Sequence, residues 1–310
     1  MKGFQVDESQ GSVFTSFTEV PVPSPGAGQI LIKVHAAGVI PTELLWYPTT
    51  HRESGEPRPH AIPGHEFSGT VASIGEGVAG FAPGDEVYGM NNWFWDGATA
   101  EYCCTVPSSI AMKPTTLTHI EAATVPISAL TAWQGLFNRA ALQPGERILV
   151  QGGGGAVGLF VVQLAHRLGA QVIATASSEN ISLVQALGAE RVIDYKASNF
   201  EDGLAPVDVV FDTVGGSIRK RSAAVLKSNG RMISIAAEAE INTDPQVRAA
   251  YFIVEPNQEQ LIEIGRLVDQ GQLKTFVKGV VPFSDASLAY TGAVRDKRTA
   301  GKFVVDIELR

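Results

Sequence analysis

Four consecutive glycines, Gly152, Gly153, Gly154 and Gly155, separate a short apolar run from a long one, and no other stretch limits the fold as much. Before them, Ile148-Leu149-Val150 reads as a buried strand. A glycine run neither continues a strand nor fills a helix, so the chain turns there. After it, residues 156–168 are apolar with Gln163, His166 and Arg167 along one edge, and Gly169 stands where a helix would stop. Gln171-Val172-Ile173-Ala174-Thr175 reads as a second strand. The result is a βαβ unit in which Gly153, Gly155 and Gly158 fit G-x-G-x-x-G. The first glycine allows the tight turn, the second the approach of a pyrophosphate, and the third the packing of helix on strand. The free N–H groups of the following helix start, at Ala156 and Val157, suit the phosphates. The flanking strands and helix favour a dinucleotide site over a glycine-rich loop without a ligand.

The rest of the composition narrows the class. The chain has 310 residues, 45% hydrophobic and 18% charged, which suits one or two globular domains. A net charge of −8 argues against nucleic acid or an anionic membrane as partner. The only cysteines are the adjacent Cys103 and Cys104, which form neither a disulfide framework nor a metal knuckle. The first residues lack a signal-peptide core, and no apolar stretch is long enough to span a membrane. A cytoplasmic protein is expected.

Residues 1 to about 120 read as strands and turns, with strands at 29–34 and 67–75 and a turn into another at 84–89. Residues 48–63, polar and proline-rich, read as a surface loop. Thr118 and Glu121 form a capping box that opens a helical region over 121–139, interrupted by Pro126. From there strands and helices alternate: a helix over 179–187, strands at 191–194 and 207–212, a helix over 217–226 and a strand at 231–235. That alternation implies a doubly wound parallel sheet. A further helix covers 258–270, and a last strand at 301–307 should rejoin the first domain. The nucleotide domain is then an insertion, and a cleft between domains is a normal place for a ligand.

An ordered set of segments now carries a resemblance: Ala36-Ala37-Gly38-Val39, Pro63-Gly64-His65-Glu66, Pro83-Gly84-Asp85-Glu86-Val87, Gly97-Ala98-Thr99-Ala100-Glu101-Tyr102, Leu130-Thr131-Ala132-Trp133, the glycine stretch and Asp212-Thr213-Val214-Gly215-Gly216. The chain resembles the medium-chain dehydrogenase/reductase superfamily, in its zinc-free quinone oxidoreductase branch, over nearly its full length. The resemblance implies an α/β protein. A GroES-like β-barrel catalytic domain (residues 1–122 and 258–310) would join a Rossmann dinucleotide-binding domain (123–257). It also implies a homodimer paired along the Rossmann sheet edge near Tyr251 and Val254. Active members of the branch use NADPH to reduce quinones or conjugated carbonyls.

Zinc-dependent relatives hold their metal with a cysteine, a histidine and a second cysteine. By motif these positions are Ile40, His65 and a residue near Ile127. Isoleucine has no donor atom, and one imidazole is not a zinc site. His65 and Glu66 are therefore expected to be a structural pair, with no metal. An NAD-specific site would place a carboxylate at the end of the second strand, which here reads Ala174-Thr175-Ala176-Ser177-Ser178. The hydroxyls of Ser177 and Ser178 can donate to a 2′-phosphate, so NADPH is expected. The branch often has a lysine at the position of Asn180 and a tyrosine at Tyr195; this chain keeps only the tyrosine.

The cofactor carries the hydride chemistry, so no catalytic triad is required. By resemblance, Thr131 touches the nicotinamide half, and Phe252-Ile253-Val254 passes it. Ile235-Ala236-Ala237 follows the fifth strand at the ligand-binding edge of the sheet. Ile40, Thr42 and Tyr47 are the substrate-side candidates. Thr42 matches a proton-relaying hydroxyl of the zinc enzymes. Tyr47 can donate a proton to an enolate, with water an equal candidate, and all three also serve as pocket wall. Trp93-Phe94-Trp95 walls an aromatic pocket or covers the core edge. Two competing functions remain: an enoyl-thioester reductase, and a crystallin-like NADPH-binding protein with little catalysis.

Overall fold

The computed structural model describes residues 1–9, 12–236, 245–294 and 300–309. The chain forms two compact units, one of residues 1–127, 255–297 and 302–310, the other of 128–254 and 298–301. The first unit is built of strands. A hairpin, β1 (Lys2–Ser9) with β2 (Ser12–Glu19), stands beside β3 (Ile30–Gly38), β4 (Glu66–Ile74), β5 (Glu86–Met90), β6 (Tyr102–Thr105) and β7 (Ile110–Met112). The second unit carries β8 (Arg147–Gln151), β9 (Gln171–Ala176), β10 (Arg191–Asp194), β11 (Val207–Asp212) and β12 (Leu226–Ser234). The chain then returns to the first unit with β13 (Val277–Pro282) and β14 (Lys302–Asp306).

In the first unit the strand order is β13-β14-β3-β4-β5-β7, with β6 also on β3. The last strand thus pairs antiparallel with β3, Val305 opposite Ala37, as the reading of residues 301–307 expected. Its core is the apolar face of these strands: Ile30, Ile32, Val34, Phe67, Val71, Val87 and Val305 are all buried. Glycines let backbone layers approach here. A Cβ on Gly69 would lie 2.3 Å from the Lys33 carbonyl, and one on Gly38 2.4 Å from the Ala123 carbonyl. Cys103 is buried and its neighbour Cys104 half-buried, as alternation along a strand requires.

In the second unit five parallel strands run in the order β10-β9-β8-β11-β12. The central strands β8, β9 and β11 are mostly apolar and buried, as strands in the middle of a parallel sheet must be, whereas the edge strands β10 and β12 are partly exposed. The order reverses at β8, so ligand-binding loops gather where β8 and β11 diverge at their carboxyl ends. The capping box forms: Thr118 Oγ1 accepts from the Glu121 N–H, and Glu121 Oε2 accepts from the Thr118 N–H. The helical region after it is broken into Pro126–Trp133 and a π-helical segment Gln134–Arg139. Gly135 within that segment packs on Phe211, where a Cβ would lie 2.3 Å from the ring.

Candidate cofactor site

The strand β8 ends at Gln151, and the chain turns through the glycines into helix Ala156–Leu168. The four glycines play different parts. Gly152 has φ +79°, and a Cβ there would lie 2.4 Å from Thr213 Oγ1. Gly153 packs inward, with a Cβ 2.9 Å from that of Ala174. Gly154 is covered by the Asn180 side chain, 3.0 Å from an added Cβ. Gly155 is the helix N-cap with φ −80° and ψ 167°, a conformation open to any residue. A Cβ on it would meet only the Gly152 carbonyl, at 3.3 Å. Farther on, a Cβ on Gly158 would fall 2.1 Å from that carbonyl, so helix and turn touch through this glycine. Gly152, Gly153 and Gly158 are thus fixed by packing, and Gly155 faces open space.

That space is a cavity of about 460 Å³, entirely within the second unit. Gly152, Gly154 and Gly155 form one wall, Ser177, Asn180 and Tyr195 another, and Phe200, Val214, Ile218 and Arg221 a third. The helix start that opens on it has no side-chain cap, and Ala156 and Val157 supply N–H groups without intrahelical partners. An uncapped helix start over a glycine wall fits the pyrophosphate of a dinucleotide.

Hydrogen bonds between side chains hold the strand ends that frame the cavity. Gln151 donates from Nε2 to Ser222 Oγ at 2.9 Å and accepts from Thr175 Oγ1 at 2.8 Å. Thr213 Oγ1 donates to the Gln151 carbonyl at 2.8 Å. The buried Asp212 carboxylate accepts from the N–H groups of Val214 and Gly215 and from Ser234 Oγ, at 2.9–3.0 Å. Each such donor left buried without its partner would cost about 1–3 kcal/mol, which makes the turn after β11 rigid.

The two serines after β9 differ. Ser177 lines the cavity. Ser178 does not; its hydroxyl donates to Asp194 Oδ2 at 2.6 Å and holds that carboxyl below its ordinary range. The turn after β9 aims Ser178 at the end of β10, whereas Ser177 faces the cavity. Ile235 and Ala236 continue β12; the Ile235 N–H bonds the Asp212 carbonyl at 3.1 Å. Ala237 lies outside the described residues. Phe252 and Val254 are buried, and the Arg139 guanidinium sits 5.6 Å over the Phe252 ring. Thr131 is buried on helix Pro126–Trp133.

In the first unit His65 is buried, with Nδ1 2.6 Å from Glu43 Oε1 and Nε2 3.0 Å from the Trp95 carbonyl. Both ring nitrogens therefore face oxygen acceptors. Glu66 is buried against Lys302, and its Oε2 accepts from the Ile127 N–H at 3.0 Å. Burial pushes its carboxyl above the ordinary value, although Lys302 pulls it back. Thr42 is exposed ahead of the turn Glu43–Leu45, and Tyr47 is exposed and stacks on His51 at 4.3 Å. Ile40 is half-buried, with no polar atom on its side chain. Trp93 packs edge-on to Trp46 at 5.1 Å and tilts over His65 at the same distance. Glu43, Lys302, Phe200 and Arg221 were not singled out from sequence. Their partners lie far off along the chain, Glu43 22 residues from His65, or are met only through the fold, and no local signal marks them.

Comparisons with known proteins show the family. The family model described as an alcohol dehydrogenase GroES-like domain matches residues 26–151, and that of a zinc-binding dehydrogenase matches 187–305. A 2-methylene-furan-3-one reductase of Solanum lycopersicum is 34% identical over 93% of this chain and 74% of its own length. An NADPH-dependent alkenal/one oxidoreductase, chloroplastic, of Arabidopsis thaliana is 33% identical over the same shares. The solved quinone oxidoreductase of Coxiella burnetii superposes with a TM-score of 0.87 at 30% identity, covering 99% of both chains. Fold and site together define a nicotinamide-dependent oxidoreductase. The chain belongs to the medium-chain dehydrogenase/reductase superfamily, in its quinone oxidoreductase branch. No helix among the described residues is long and apolar enough to cross a membrane.

Proposed function

We propose that this chain is a zinc-independent, NADPH-dependent reductase of quinones and α,β-unsaturated carbonyls. One observation carries the zinc-independent part: both nitrogens of His65 face oxygen acceptors, and the flanking positions are Ile40 and Ile127, which have no donor atom. The match to a zinc-binding dehydrogenase model begins at residue 187 and contains none of these positions. Among the described residues no group of three or more His, Cys, Asp or Glu is placed to hold a metal ion.

NADPH, when bound, supplies the hydride. The N–H groups of Ala156, Val157 and Gly158 would hold its pyrophosphate beside Gly155, whose own N–H bonds the Gly152 carbonyl at 2.9 Å, and Ser177 and Tyr195 would hold its adenosine ribose. Thr131, Ile235, Ala236, Phe252 and Val254 are assigned to the nicotinamide half. On the substrate side, Thr42 Oγ1, Tyr47 Oη or water would hand on the proton, with Ile40 as wall. A cytoplasmic setting fits two unpaired cysteines and is checked by cell fractionation.

The purified protein should contain no stoichiometric zinc and should oxidise NADPH with quinones and alkenals at rates that strong chelators leave unchanged. Elemental analysis showing one tightly held zinc per chain would overturn the zinc-independent reading. Faster turnover of an enoyl-CoA in the same panel would select the enoyl-thioester reductase, and NADPH binding without turnover the crystallin-like protein.

We further propose a homodimer paired along the strip from Tyr251 to Val254. Tyr251 extends the sheet by a parallel bridge to Ser234, and Ile253 is 53% exposed. Light scattering at micromolar concentration should give twice the 32.9 kDa chain mass. A strictly monomeric mass would refute the pairing.

A further inference from the structure

Arg221 and Lys196 are held differently beside the cofactor cavity. Arg221 lines it, but its guanidinium is clamped by the Glu201 carboxylate and also donates to Asn199 Oδ1 at 3.1 Å. It lies 4.9 Å over the Phe200 ring. Its charge is balanced where it sits, and moving it would break a stacked, bidentate pair. Lys196 is held differently. Its side chain is 54% exposed, and Nζ lies 3.8 Å from Glu179 Oε1, the outer limit of an ion pair. Nζ is also 6.0 Å from the centroid of the Tyr195 ring, which lines the cavity.

The polar groups around Lys196 have other commitments. Ser178 donates to Asp194. The Ser177 hydroxyl helps to hold the Glu179 carboxyl below its ordinary range, after the residue's own backbone N–H and ahead of Lys196. Asn180, where a cation would be useful, is neutral and turns its Nδ2 toward Ser177 Oγ at 3.4 Å. Beside the cavity wall formed by Ser177, Asn180 and Tyr195 thus stand the carboxylates of Glu179 and Asp194, each engaged by a serine, and the loosely paired ammonium of Lys196.

We propose that Lys196 is the residue that recognises a 2′-phosphate in this chain, and that Glu179 sets how strongly it does so. The inference rests on the NADPH reading above and adds the residue that carries the preference. A 2′-phosphate brings close to two negative charges and three acceptor oxygens, against the single charge of Glu179. The lysine stem is flexible and its ammonium has three donors, so Lys196 can exchange the carboxylate for the phosphate without disturbing the fold. Tyr195 supplies a ring face beside which the ammonium can settle. Glu179 then acts as a competitor whose charge the phosphate must displace, which keeps the preference moderate.

The test is calorimetric titration of the full chain with adenosine 2′,5′-bisphosphate and with 5′-AMP, which differ only in the 2′-phosphate. Lys196→Ala should weaken the bisphosphate about five- to tenfold, the worth of one charge-assisted contact at a partly exposed site, and leave 5′-AMP unchanged. Glu179→Gln should strengthen the bisphosphate several-fold relative to 5′-AMP. Added salt should narrow the wild-type ratio of the two affinities and leave the Lys196→Ala ratio nearly flat. Unchanged 5′-AMP binding also shows that the variants are folded. If Lys196→Ala keeps the wild-type ratio, or weakens both probes alike, the assignment is wrong. A wild-type ratio of one or less would remove the NADPH preference; if the two substitutions still move it in opposite directions, the assignment of Lys196 survives.

Discussion

Gly155→Asp should abolish dinucleotide binding and leave the protein folded. Gly155 has φ −80° and ψ 167°, which an aspartate adopts without strain, and its Cβ meets only one protein atom, 3.3 Å away. It is also the N-cap of helix Ala156–Leu168, where aspartate is among the preferred residues and contributes roughly a few tenths of a kcal/mol over glycine. The same carboxylate would take the N–H groups meant for the pyrophosphate and set a negative charge against it. At about 4 Å and an effective dielectric near 20, one such charge pair costs about 4 kcal/mol. Even half of that, after screening, is more than tenfold in affinity, and the lost hydrogen bonds add to it. The expected result is a melting temperature at or above wild type, with NADPH binding weakened at least about a hundredfold. Unchanged NADPH affinity in a folded variant would mean that the phosphates lie elsewhere. Gly158 makes the contrast: its Cβ would fall 2.1 Å from the Gly152 carbonyl, so a side chain there damages the fold itself.

Ser177→Asp should reverse the cofactor preference from NADPH to NADH. Ser177 lines the cavity at the end of β9, where NAD-specific sites carry an acid. An aspartate there adds a third carboxylate to Glu179 and Asp194, against a phosphate of nearly two charges. Each charge pair would again cost about 4 kcal/mol before screening. On the other side, the new carboxylate can accept from the free ribose hydroxyls of NADH. Because Asn180 brings no charge and Lys196 is already shared with Glu179, the proposed NADPH preference should be modest and the reversal correspondingly easy. The quantity to measure is kcat/KM for both cofactors with one quinone, in wild type and variant. Equal or better use of NADH by the wild type would show that the end of β9 has been misassigned.

The sequence by itself determined what depends on near neighbours. The strand Val207–Asp212 lies where its apolar run puts it, because a strand buried on both faces needs only a short apolar segment between turns. The glycine turn, the helix after it and the stop at Gly169, which has φ +90°, follow from backbone sterics alone. The capping box at Thr118 and Glu121 closes over three residues, so four letters suffice to see it. The ordered set of motifs was enough to reach the superfamily and its branch.

Tertiary structure decided which side chains share a site. Lys302 meets Glu66 across 236 residues, and nothing local to either marks the other as its counter-charge. Arg221 reaches Glu201 and Phe200 because a helix after β11 folds back over the turn after β10. Ser177 and Ser178 are adjacent letters with the same hydroxyl, yet one faces the cavity and the other Asp194. Their difference comes from the direction of the backbone as it leaves the sheet, and that direction is fixed by how β9 pairs with β10, Ile193 beside Thr175 and Asp194 beside Ala176. Local sterics and hydrophobic periodicity act within a few residues and are written in order along the chain; charge pairing acts through space, and only the folded chain sets those distances.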